Sequence, residues 1–94
     1  MSETSVAQRN VKIRNRLGLH ARPAAELVKL AGHFQSEIRL SKDVLTVNGK
    51  SIMGVLMLAA EQGSHLVIRA QGADAVQAVD ALAALVERGF KGEP

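Results

Sequence analysis

The chain has 94 residues, 47% hydrophobic but only 2% aromatic, so one small domain with an aliphatic core is expected and no room is left for a separate catalytic domain. Cysteine is absent, which excludes disulfides and thiolate metal sites, and His20, His33 and His65 show no ligand spacing to one another, so no metal is expected. Twelve basic residues against nine acidic ones give a net charge of +3, gathered early at Arg9, Lys12, Arg14, Arg16, Arg22 and Lys29.

That gathering suits an acidic partner face or a phosphate, and equally an ordinary solvated surface. No apolar run approaches the roughly 20 residues that cross a bilayer, and the N-terminus lacks a signal-peptide pattern. A cytoplasmic location without membrane insertion is expected.

Met1 to Ser5 is polar and expected to be loose. Val11 and Ile13 then alternate with Lys12 and Arg14, as in a strand with one wet face. Asn15 to Leu19 reads as a loop that delivers His20 to the mouth of a helix. Pro23 fits a first helical turn, because the N–H it lacks would have no intrahelical partner there. Ala24, Leu27, Val28 and Ala31 fall at i, i+3, i+4 and i+7, while Glu26 and Lys29 lie off that stripe. The helix should stop near Gly32 in a left-handed turn, with Phe34 folding back onto the core and His33 exposed.

Two readings of His20 stand side by side. A helix entrance presents free N–H groups and the positive end of the dipole, and Arg22 adds a guanidinium, so the mouth can hold the charged oxygens of a phosphoryl group on the imidazole. Alternatively His20 is only a cap and Arg22 only a solvated side chain.

Ile38 and Leu40 alternate with Glu37, Arg39 and Ser41, and Leu45 and Val47 with Thr46 and Asn48, which predicts a β-hairpin turning at Lys42-Asp43. After Gly49 the period becomes helical: Ile52, Val55, Leu56 and Ala59 make one stripe and Met53, Met57 and Ala60 a second, with Gly63 ending the helix. A helix apolar on two sides has one face too many for a single core. Met53 and Leu56 are therefore either a docking surface or simply buried. Ser51, just before Ile52, can cap this helix.

Leu66, Ile68 and Ala70 alternate with His65, Val67 and Arg69 as another strand, with His65 on its solvent side. Gly72-Ala73-Asp74 opens the last helix, with Asp74 in its first turn, Arg88 in its last and Gly89 beyond. Val76, Val79, Leu82, Ala83 and Val86 form its buried stripe, Phe90 packs past its end, and Lys91 to Pro94 is a loose tail. There are no repeats, low-complexity tracts or linkers, so residues 1–94 read as one domain. The order β-α-β-β-α-β-α implies an α+β fold, with helices on one face of a mainly antiparallel sheet.

Gly18-Leu19-His20-Ala21-Arg22-Pro23-Ala24 resembles the active-site signature of HPr, the histidine phosphocarrier family of the bacterial phosphotransferase system. Asn48-Gly49-Lys50-Ser51-Ile52-Met53-Gly54-Val55-Leu56-Met57 is similar to the segment around that family's regulatory serine, and the likeness spans roughly Val6 to Phe90. The resemblance implies a four-stranded open-faced β-sandwich. It implies that His20 accepts a phosphoryl group from Enzyme I, on the ring nitrogen nearer the main chain, and passes it to an EIIA-type protein. Arg22 would stabilise the phosphate, and Ser51 would be a phosphoserine site for an HPr kinase/phosphorylase.

Leu19, Ala21, Lys29, Ile52, Met53 and Leu56 would form the partner face of a monomer that acts stoichiometrically, as a carrier and not an enzyme, with no cofactor beyond a transient phosphohistidine. Ala21 stands where many relatives carry a hydroxyl residue and Gly54 where some carry a lysine, which bears on partner choice.

The alternative is a regulatory HPr-like adaptor for nitrogen or carbon control, whose phosphorylation state selects its protein partner. A nucleic-acid-binding role is disfavoured, since Phe34 and Phe90 are the only aromatic residues and neither lies on an expected strand.

Overall fold

A strand whose side chains alternate between apolar and polar has one dry face. Leu66, Ile68 and Ala70 supply that face on β4 (His65–Gly72), each wholly buried. The computed structural model describes residues 5–91 and places β4 inside the sheet. β1 (Ser5–Lys12) pairs along one side of it and β2 (Glu37–Lys42) along the other, with β3 (Leu45–Asn48) beyond β2. All pairings are antiparallel in the order β1-β4-β2-β3, and the register sets Val11 opposite Leu66, Leu40 opposite Ile68 and Ile38 opposite Ala70. Inward residues thus meet inward residues across three strands.

Three helices cover this dry face: α1 (Ala21–Ala31), α2 (Ile52–Met57) and α3 (Ala75–Glu87). The element order is the expected one, and the architecture is the α+β open-faced sandwich. α1 buries Pro23, Ala24, Leu27 and Ala31, while α3 buries Ala75, Ala78, Val79, Leu82, Ala83, Leu85 and Val86. α3 lies on β1 and β4, and α1 packs on both other helices. The many alanines let helices approach closely enough for so aliphatic a core to fill without large aromatic rings.

Several boundaries differ from the sequence expectation. Ser5 is not loose but paired with Gly72, whereas residues 1–4 and 92–94 lie outside the described residues. Ile13 lies beyond the end of β1, yet is buried and bonded to Ser64 O at 2.8 Å. The hairpin turns at Asp43-Val44, one residue later than expected, because Lys42 still pairs with Leu45. Gly32 stays right-handed at φ −66°, so α1 unwinds through short bonds from His33 and Phe34 to Leu30 O and Ala31 O. α2 stops at Met57, well before Gly63, and Ala59 takes the left-handed conformation (φ +48°). On α3, Val76 faces solvent and Ala75 points inward in its place.

Asp74 also departs from expectation. It occupies the N-cap position of α3, yet its carboxylate caps nothing in that helix and reaches across to the α1–β2 connection instead. It accepts from Ser36 Oγ (2.6 Å), Ser36 N–H (2.9 Å) and Gln35 N–H (2.9 Å), tying the start of α3 to the chain before β2. Gly72 makes this possible: at φ +151° a Cβ there would come 2.6 Å from Ser36 Oγ. Arg88 likewise lies past the last turn of α3 and donates to Lys91 O (3.0 Å).

Donation by the Ser36 hydroxyl and then by the Gln35 N–H holds the Asp74 carboxyl below the usual aspartate range, outweighing the opposing effect of burial, and the Ser36 N–H adds a smaller push in the same direction. A lowered folded-state pKa contributes stability above the unfolded value, about 3.9, and that contribution is lost as pH falls through the folded value. Asp74→Ala should lower the urea midpoint at pH 6, and its gap to the wild type should close progressively below about pH 4.

Candidate functional site

The loop ahead of α1 is seated before any charge enters the argument. Gly18 sits at φ +69°, where a Cβ would overlap the Ala60 carbonyl oxygen and come 2.9 Å from Glu61 Cα. Leu19 N–H bonds that same Ala60 O at 2.9 Å, and the Leu19 side chain is buried. Asn15 braces the turn from within, its side-chain Nδ2 donating to Gly18 O (2.7 Å) and its main-chain carbonyl accepting from Gly18 N–H (3.1 Å). Gln62 Nε2 holds the other flank through Arg14 O at 3.0 Å.

His20 emerges from this brace as the N-cap residue of α1, with extended backbone (φ −79°, ψ −171°). Its carbonyl takes the first helical bond, from Ala24 N–H at 3.0 Å, while its exposed side chain makes no capping bond. Of the two readings of this residue, the side-chain cap is thereby removed. Ala21 and Arg22 supply helix-entrance N–H groups that have no intrahelical acceptor, and Pro23 has none to supply.

His20, Arg22 and Arg16 line one open depression of about 480 Å³, with Leu17 and Glu26 on its rim and Phe90 closing the α3 side. Arg16, read from sequence only as one basic residue among six, therefore joins the site. No pattern marked it, because its neighbour in space is the end of α3 and not a residue nearby in the chain. The other early cations disperse: Arg9 pairs with Asp80 (3.2 Å) and Glu87 (3.6 Å) on α3, and Lys29 borders a separate groove with His33 and Arg88. Exposed pairs such as those of Arg9 contribute little to stability.

The remaining site candidates lie on α2 and its approach. Ser51 is the N-cap of α2, and its Oγ accepts from Gly54 N–H at 3.1 Å. Ile52, Met53 and Met57 are exposed at 40%, 67% and 66%, so Met53 is not a core residue and a second apolar face does stand open. Ala21 is exposed as well, beside His20. Leu56 is half-buried against the core, and Leu19 belongs inside, which corrects its expected place on the partner face. Leu17, 71% exposed, was missed: a leucine beside a glycine in a loop looks the same in sequence whether it points in or out.

Among the described residues no group of histidines and carboxylates is placed to hold a metal ion, and no helix is long and apolar enough to cross a membrane.

This open-faced sandwich sets an exposed imidazole, a nucleophile when neutral, beside guanidinium groups and the anion-favouring entrance of a helix. Residues 7–88 match the family model for the PTS HPr component phosphorylation site. The chain is 48% identical over 83 residues to phosphocarrier protein HPr of Cupriavidus necator (88% of this chain, 93% of the relative), and 47% over 83 residues to phosphocarrier protein NPr of Proteus mirabilis (87% and 92%). A crystal structure of HPr from Thermoanaerobacter tengcongensis superposes with a TM-score of 0.88 at 42% identity, covering 94% of this chain and 99% of that one. An HPr dimer from the same organism gives 0.74 at 44% identity, covering 87% and 94%. The chain belongs to the HPr family of phosphotransferase-system phosphocarriers.

Two substitutions separate the scaffold from the cap. Gly18→Ala should cost about 1–3 kcal/mol for the strained backbone alone, more with the Ala60 overlap, and should broaden the His20 ring signals in NMR. Ser51→Ala should cost about 1 kcal/mol in urea unfolding through the lost cap and leave the His20 signals in place.

Proposed function

We propose that this protein carries phosphoryl groups in the phosphoenolpyruvate-dependent phosphotransferase system, taking them from Enzyme I onto His20 and handing them to an EIIA-type protein. The observation that carries this reading is the exposed, uncapped imidazole of His20 at the entrance of α1. A neutral imidazole keeps one ring nitrogen with a free lone pair, so it needs no base to become a nucleophile. That lone pair attacks the phosphorus of a donor phosphohistidine. The new N–P bond forms as the donor N–P bond breaks, and the donor ring regains its lone pair. The family resemblance favours the ring nitrogen nearer the main chain as the atom that carries the bond.

Alignment and charge around the equatorial oxygens do most of the work in such a transfer, so a small carrier leaves the rest to its partner. Arg22 offers a forked guanidinium to those oxygens, and the free amides of α1 add to it. The phosphohistidine is transient and the protein is a stoichiometric reactant in the cytoplasm, with no cofactor. Ala21, Ile52, Met53 and Met57 give the partners an adaptable apolar surface beside the site.

Ser51 is the proposed regulatory site, acted on by an HPr kinase/phosphorylase. A phosphate there would be tolerated at the start of α2, so it leaves the domain folded and instead sets a dianion beside Ile52 and Met53, where it repels an acidic partner. A regulatory adaptor is the second reading, favoured by 44% identity over 82 residues to the HPr-like protein Crh of Bacillus subtilis, whose solution structure is described as that of the catabolite repression HPr.

Incubation with Enzyme I and phosphoenolpyruvate should add one acid-labile phosphoryl group by intact mass, and His20→Ala should add none. A protein never charged, or still charged without His20, sinks the carrier reading. Arg22→Gln should slow transfer by about a hundredfold with little change in Tm. Ser51→Asp should keep the fold but weaken Enzyme I charging, since the carboxylate can still accept the Gly54 N–H while adding negative charge to the partner face.

A further inference from the structure

We propose that Arg16 is a second phosphoryl-contacting guanidinium, closing on the group from the loop side while Arg22 holds it from the helix side; this rests on His20 as the accepting residue. The two arginines come from different elements, the β1–α1 loop and the first turn of α1, yet they line the same depression as His20. Among the described residues neither guanidinium takes part in an ion pair or a side-chain hydrogen bond. The one carboxylate on the rim, Glu26, lies a helical turn beyond Arg22 and pairs with neither. Two guanidinium groups therefore line one open space, and the single carboxylate that shares it, Glu26, is paired with neither.

An anion entering that space meets a net positive lining, two guanidinium groups against one carboxylate. A phosphoryl group near neutral pH carries roughly −1.5 to −2, so one guanidinium leaves it under-compensated and two come close to balance. A guanidinium presents its donors as a rigid planar fork that matches two phosphoryl oxygens in parallel, which the point charge of an ammonium does not, so two arginines can engage all three terminal oxygens together with the α1 amides.

The backbone on either side of Arg16 is already fixed. Gln62 holds Arg14 O, and Asn15 is bonded to Gly18 through both its side chain and its carbonyl. Closure of Arg16 over the phosphoryl group thus orders only its own side chain, and the cost of binding is confined to those torsions. Arg16 contacts the group after it has arrived, so its principal effect falls on how strongly the charged carrier retains phosphate.

The test charges His20 chemically with phosphoramidate, which needs no protein partner, and follows arginine Nε–H signals by NMR. The Arg16 and Arg22 Nε–H resonances should both move on phosphorylation, whereas that of Arg39, on the open face of the sheet, should not. Arg16→Gln should then lower the equilibrium constant for charging by Enzyme I on the order of tenfold, with partial rescue by Arg16→Lys, while Arg39→Gln, with the same loss of charge, leaves it unchanged. An unmoved Arg16 Nε–H overturns the proposal, as does an Arg16→Gln protein indistinguishable from Arg39→Gln. A wild type that Enzyme I cannot charge would sink the carrier reading alone, because the NMR shift after chemical charging still reports on Arg16.

Discussion

The seating of one carbonyl organises the functional end of this molecule. Ala60 O receives the Leu19 N–H and leaves no room for a Cβ on Gly18, so the residues just before α1 are held against the segment that follows α2. Only a residue without a Cβ can approach that carbonyl with positive φ, and the bond from Leu19 N–H to the same oxygen then fixes the direction of the chain into α1. Leu19 goes inward, His20 goes outward, and the helix begins with its entrance amides beside an imidazole that they do not engage. The position of that ring is settled by packing before any charge acts.

The same economy explains the short second helix. With six residues, α2 buries little more than Val55 on its own account, and its methionines face away from the sheet. An isolated helix of that length would not persist in water. It persists here because Ser51 caps its start, Leu58 and Ala60 are buried beyond its end, and α1 packs along it. An apolar surface is thereby displayed on a scaffold that has its own reasons to be ordered, so a partner that docked there would meet a low ordering cost.

How legible the site was depends on the range of the interactions involved. His20, Arg22 and Ser51 were readable because a helix entrance is a local pattern of glycine, proline and apolar spacing. Arg16 and Leu17 were not, since their surroundings are completed by the far end of α3. Asp74 misled in a similar way: an acidic residue ahead of a helix ordinarily serves that helix, but here Ser36 and Gln35 offer three donors from another connection and win the carboxylate. Val76 was assigned to the core by period alone, although a rotation of α3 that buries Ala75 exposes it.

From sequence alone came the element order, the dry faces of β4 and α1, the aliphatic core and the histidine at a helix mouth, because alternation, helical spacing and turn residues act over a few bonds along the chain. Tertiary structure alone decided the strand order β1-β4-β2-β3, the end of α2 at Met57, the inward turn of Leu19 and the company His20 keeps. Those outcomes depend on which distant surfaces exclude water together and on one carbonyl's fit against one glycine, and no local pattern encodes a distance between residues that lie far apart in the chain.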